Sequence, residues 1–109
     1  MTIYHFGAIV VNSNTRVGRN CCIHNFVNIG ATGGHSECPK IGNNVFIGPG
    51  AVIFGDVTIA DGCYIGANTV VNKSILEPYS VVVGKGNSAE TVKKETKTWW
   101  EKNKLKREI

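Results

Sequence analysis

The sequence predicts an all-β chain wound as a parallel β-helix of about four triangular coils. Three observations predict it. The first is a six-residue clock: Val11, Val17, Ile23 and Ile29, then Ile41, Ile47, Ile53, Ile59, Ile65 and Val71, are all β-branched aliphatics in one phase. The second is a compact residue two places before most of them, including Thr15, Cys21, Val27, Val45, Ala51, Val57, Cys63 and Thr69. The third is a small residue one place after, at Gly18, Gly30, Gly42, Gly48, Ala60 and Gly66. Neither a helix (period about 3.6) nor a single alternating strand (period 2) produces this spacing.

Six residues make one short strand and one turn. Three such units close a triangle of 18 residues, and successive triangles stack at the strand spacing of about 4.8 Å. The aliphatic of each unit then points inward onto its counterpart one coil earlier. Asn and Gly at the corners tolerate the positive φ that a sharp bend needs.

The clock is interrupted once, by "GATGGHSECPK" between Ile29 and Ile41. Phase survives the gap, but its midpoint is His35 rather than an aliphatic. Three glycines and a proline mark a loop of about six extra residues, spanning roughly 30–40 and thrown out from one corner. After Val71 the rhythm fades. Residues 1–84 therefore read as the coiled domain and 85–109 as a helical tail. Asn87 and Glu90 have the spacing of a capping box, which predicts a helix from about Ser88 to Lys106, with Trp99 and Trp100 lying against the prism.

The chain has 109 residues, enough for one domain and one core. It is 42% hydrophobic and 18% charged, as expected of an ordinary soluble globular protein. No apolar run reaches the length of a membrane span, and the N-terminus lacks the pattern of a secretion signal, so a cytoplasmic location is expected. The net charge of +4 is concentrated in residues 88–109, where seven basic residues face four acidic ones. The mixture of signs reads as a solvated face, and no nucleic-acid reader motif accompanies it. Cys21, Cys22, Cys38 and Cys63 lack metal or redox spacing and read as unpaired thiols. The glycines follow the clock, and no phosphate-binding loop pattern occurs.

The stretch "IGNNVFIGPGAVIFGDVTIADGCYIGANTVVNKS" resembles the hexapeptide-repeat acyltransferases. That resemblance implies a left-handed coil, an exception to the usual right-handed crossover. Within that superfamily, "YHFGAIVVNSNTRVG" and "NIGATGGHSECPKIGNNVFIGPGAVIFG" are similar to segments of the serine O-acetyltransferases, a likeness covering roughly residues 4–84. The implied activity moves an acetyl group from acetyl-CoA to a hydroxyl of a small acceptor, serine or a sugar. By the same resemblance His5, one six-residue step before Val11, is the general base. The family's second active-site histidine has its place before Pro39 taken by Cys38; either His35, three residues earlier, fills the same space, or the role is absent.

The resemblance further implies that Gly48, Pro49, Gly66 and Ala67 make a low corner for the pantetheine arm. Asn72, Lys73 and Lys85 would then meet the phosphates. The family's catalytic aspartate lies upstream of the histidine, where this sequence holds Met1 to Tyr4. A backbone carbonyl, another subunit or an upstream segment is left to orient His5. A homotrimer with sites at subunit seams is implied, and no metal: the γ-type carbonic anhydrases share the hexads, but here Pro49 and Phe54 occupy their ligand positions. The alternative within the fold is a catalytically silent trimeric scaffold.

Overall fold

A computed structural model describes residues 2–3, 9–31, 36–84 and 90–94. Thirteen short strands lie among the described residues. The first coil contains β1 (Thr2–Ile3), β2 (Val10–Val11) and β3 (Arg16–Val17), and the second β4 (Cys22–Ile23), β5 (Asn28–Gly30) and β6 (Lys40–Ile41). The third contains β7 (Phe46–Ile47), β8 (Val52–Phe54) and β9 (Thr58–Ile59), and the fourth β10 (Tyr64–Ile65) and β11 (Val70–Val71), closed by an isolated bridge between Ile59 and Ile75. β12 (Ser80–Val83) begins a further turn.

Strands of successive coils pair in parallel and build three faces. Face A holds β1, β4, β7, β10 and β12; face B holds β2, β5, β8 and β11; face C holds β3, β6 and β9. About four triangular coils result, as the clock predicts.

The register measures the loop directly. Val10 pairs with Asn28 and Lys40 with Thr58, both 18 residues on, as a closed triangle requires. Across the interruption the step is 24: Arg16 pairs with Lys40, Cys22 with Phe46 and Asn28 with Val52. The six extra residues therefore lie between Gly30 and Lys40, where they were expected; residues 32–35 fall outside the described residues.

Each in-phase aliphatic from Ile23 onward is buried, as are Cys21, Val27, Val45, Ala51, Val57, Cys63 and Thr69 in the compact row. Val11 and Val17, in the first coil, are only partly buried against that cluster. The small row has a stacking role. A Cβ on Gly42 would lie 2.9 Å from the Asp61 backbone nitrogen, and one on Gly48 2.8 Å from that of Ala67. The coil spacing leaves no room for a side chain there.

The C–A and A–B corners bend through the left-handed region in coil after coil, and the B–C corner does so at Gly55. Between faces C and A the bend falls at Asn20, Asn44, Gly62 and Tyr79; between faces A and B it falls at Phe26, Gly50 and Asn68. Each later corner donates its backbone N–H to the coil before: Asn44 to the Arg19 carbonyl (2.8 Å), Gly62 to Asn43 (2.8 Å), Gly50 to Asn25 (3.0 Å) and Asn68 to Pro49 (2.9 Å). Side chains reinforce the C–A corner, with Asp61 Oδ1 accepting from Asn43 N at 2.7 Å and Asn43 Oδ1 from Arg19 N at 2.8 Å.

Two expectations are corrected. Residues 90–94, placed in a helix by the capping box, form β13 (Glu90–Lys94), antiparallel to β12 with a register shift between Val81 and Val82. The last coil leaves the edge of β12 unpaired, and satisfying that row of backbone groups outweighs local helix preference. The remainder of the expected helix lies outside the described residues. The second correction concerns phase. Ile3, not His5, takes the register position of the aliphatic row, since it pairs with Ile23. The clock therefore takes eight residues from Ile3 to Val11 instead of six; His5 lies outside the described residues.

Candidate functional site

The A–B corner is where the sequence places the cofactor residues, and its composition changes from coil to coil. The third coil presents Gly48-Pro49-Gly50 and the fourth Gly66-Ala67-Asn68, whereas the second presents His24-Asn25-Phe26. Gly48 and Gly66 are buried, while Pro49 and Ala67 are exposed at the surface. In coils three and four the corner thus carries nothing larger than a proline ring and the Asn68 amide, which lies over Gly50 and fills the space of a Cβ there. Coil two stands higher.

Gly48 and Gly66 have a packing reason as well as a proposed binding one. A Cβ on Gly66 would lie 3.1 Å from Val83 Cγ1 and 3.3 Å from Thr69 Oγ1. Thr69 Oγ1 is buried without a hydrogen-bond partner among the described residues. Asn72 and Lys73 are both exposed and follow β11 at the far side of face B in the fourth coil. Residues 69–71, which lie between that point and the A–B corner, separate them by roughly 10 Å. The structure therefore brings Gly48, Pro49, Gly66 and Ala67 into one column, with Asn72 and Lys73 across a face from it. His5, His35 and Lys85 lie outside the described residues.

Cys38 is buried, and its thiol donates to the Ser36 carbonyl at 3.7 Å. All four cysteines are buried thiols without a disulfide. Burial raises the Cys21 and Cys63 thiols above their ordinary 9.0, outweighing the backbone donors that favour their ionised forms. Cys21 Sγ donates to the Gly42 carbonyl at 3.1 Å. These thiols are core residues.

The sequence reading gave Phe26 no role and placed His24 at no part of this corner. His24 stands where the next coils have Gly48 and Gly66. Its Nδ1–H donates to the Ile47 carbonyl at 3.2 Å, and its ring tilts against Phe46 at 4.7 Å between centroids. Phe46 in turn stacks on Tyr64 at 4.3 Å and 4°. Aligning "HNF" with "GPG" and "GAN" in the hexads was the available signal. A separate open cavity of about 360 Å³ lies on face C beside Lys40, Thr58, Asp61 and Pro78, and none of the sequence-predicted site residues among the described ones lines it.

Residues 38–73 match the family described as bacterial transferase hexapeptide (six repeats). The serine acetyltransferase of Staphylococcus xylosus is 40% identical over 84 residues, covering 75% of this chain and 38% of that protein. "Putative colanic acid biosynthesis acetyltransferase WcaB" of Escherichia coli K12 is 36% identical over 93 residues, covering 84% of this chain and 57% of that protein. The crystal structure of serine acetyltransferase in complex with coenzyme A from Brucella abortus superimposes with a TM-score of 0.78 at 32% identity, over 89% of this chain and 38% of that one.

The chain belongs with the hexapeptide-repeat acyltransferases. Its coil has the left-handed sense of the serine acetyltransferases, since coils of opposite hand do not superimpose at that score. It spans well under two thirds of the length of these relatives. Among the described residues no helix is long and apolar enough to cross a membrane.

Proposed function

We propose that the chain is the donor-binding coil of an acetyl-CoA-dependent O-acetyltransferase that acts on a small hydroxyl-bearing acceptor. The observation that supports this best is the likeness of 89% of the chain to a serine acetyltransferase solved with coenzyme A, together with the low A–B corner of coils three and four.

In this reading the pantetheine arm lies along the corner past Pro49 and Ala67, with its amides beside exposed main chain. Asn72, Lys73 and Lys85 meet the phosphates, where an ammonium supplies charge-assisted hydrogen bonds. His5 takes the proton of the acceptor hydroxyl as that oxygen attacks the thioester carbonyl. Collapse of the tetrahedral intermediate breaks the C–S bond, and the imidazolium returns the proton to the departing sulfur. No covalent acyl-enzyme is needed. His35 completes the site from the loop, and the assembly is a cytoplasmic homotrimer with the groove between neighbouring chains.

Serine is the acceptor suggested by the serine acetyltransferase relatives, and a sugar hydroxyl the one suggested by the colanic acid protein. A second reading, a silent trimeric scaffold, is favoured by Cys38, since a buried thiol replaces the imidazole that the family places there. Thermal melting with and without acetyl-CoA separates the two, because a ligand that binds only the folded state raises its melting temperature. Stabilisation by acetyl-CoA, with thiol release on adding serine or an amino sugar, is the expected result. No stabilisation and no release with any acceptor would leave the scaffold.

A further inference from the structure

The A–B corner contains a residue that the fold does not explain. Phe26 has φ +62°, in the left-handed region that bulky side chains rarely adopt. One and two coils later the same position is held by Gly50 and Asn68, which accept that conformation readily. Core packing does not offset the strain in Phe26, because the residue is 63% exposed. An outlier of this kind points toward function when the surroundings leave it no structural role. Tyr79 shares the conformation, but it lies at the C–A corner, away from the Gly48 and Gly66 column.

The position of Phe26 gives it a role. The low path over Gly66-Ala67 and Gly48-Pro49 ends at the second coil, where His24 and Phe26 stand up. His24 is held in place by its bond to the Ile47 carbonyl and its contact with Phe46. If the phosphates of the donor sit at Lys73 in the fourth coil, the reacting end of the thread points toward the second coil, two coil rises or roughly 10 Å away along the axis. The first residues to meet it there belong to the step.

We propose that Phe26 is a specificity-determining residue that closes the acyl end of the donor groove, admitting acetyl and excluding longer acyl chains. This inference rests on the acetyl-CoA reading above. An apolar ring at a groove's end discriminates by volume: each methylene that has to be forced past it costs roughly 10- to 200-fold in kcat/KM. Gly or Asn in its place, as the next two coils carry, opens the end of the groove.

The test measures kcat/KM for acetyl-, propionyl- and butyryl-CoA by release of free CoA thiol in the wild type, Phe26→Gly, Phe26→Asn and Phe26→Leu. Wild type and Phe26→Leu should prefer acetyl-CoA. Phe26→Gly and Phe26→Asn should shift the butyryl-to-acetyl ratio by at least about tenfold in favour of butyryl-CoA. Both should melt at or above the wild-type temperature, since they relieve a strained φ. Acetyl-CoA turnover with an unchanged ratio in both variants would overturn the role of Phe26 and leave the enzyme reading intact. Lower melting or failure to fold in both would make the ring structural and overturn it likewise. A wild type that neither binds nor turns over acetyl-CoA would overturn both.

Discussion

Replacing Gly48 by Ala tests how closely the corners are stacked. The new methyl would sit 2.8 Å from Ala67 N, 3.0 Å from Gly66 C and 3.1 Å from Ala67 Cα. All three are backbone atoms, so no side chain can swing aside. They are also held in place, with Gly48 N donating to the Ile65 carbonyl at 2.8 Å and Gly66 N to the Val82 carbonyl at 2.9 Å. Relief requires the third and fourth coils to separate locally. Overpacking of this kind costs about 1–3 kcal/mol. For a domain near 100 residues each kcal/mol moves the melting temperature by about 4–8 °C, so a fall of roughly 5–20 °C is expected. Gly30→Ala is the control: among the described residues its Cβ would meet only Asn12 Cβ, at 3.7 Å, and its φ is not positive. That variant should melt at or slightly above wild type, because a compatible Gly→Ala change restricts the unfolded chain. Thermal denaturation followed by circular dichroism reads both. Gly48→Ala melting with Gly30→Ala would refute the argument that coil stacking, and not ligand access alone, dictates this glycine.

Two further predictions concern charge. Burial raises the Cys21 and Cys63 thiols, so each contributes stability that is complete below the pH near 9 where an unfolded thiol ionises and is lost as pH rises through the higher folded value. The urea midpoint should fall between about pH 8 and 10, and fall less in Cys21→Ala/Cys63→Ala, with alanine chosen because Ala51 already serves in the compact row. An identical pH slope in the double variant would contradict the assignment. Lys73→Ala should weaken acetyl-CoA binding by about fivefold at low salt, with the difference shrinking as ionic strength rises. Calorimetric titration at two salt concentrations measures this, and an affinity unchanged at both would remove Lys73 from the phosphate site.

Most of the architecture was legible because hexad periodicity is dictated by the core. The aliphatic at Ile47 has to stack on Ile23 and Ile65, and the register pairs those residues. The loop was legible through the same arithmetic, since an insertion that keeps phase adds a multiple of six residues. The two errors arose where that repetition stops. Glu90–Lys94 obeys an edge that exists only once β12 has formed, so a local capping signal could not anticipate it. The six-residue step to His5 assumed a first coil of the usual length, whereas Ile3 pairs with Ile23 and stands eight residues before Val11.

At the candidate site, the Gly48 and Gly66 column was readable from composition. Its packing role was not, because the space a missing Cβ leaves is defined by the next coil. Phe26 escaped notice for a related reason. Nothing in a residue's identity reveals its φ until the corner it occupies is aligned with Gly50 and Asn68.

Acetyl transfer by His5 is the claim on which the functional account depends, and one comparison tests it most directly. Release of CoA thiol from acetyl-CoA, in the presence of an accepted hydroxyl substrate, is measured for the wild type and His5→Ala, with acetyl-CoA affinity measured alongside. The account predicts turnover reduced by about 10²- to 10⁴-fold with affinity retained, as expected when a general base is removed from an otherwise intact groove. Equal turnover in the two proteins would contradict it.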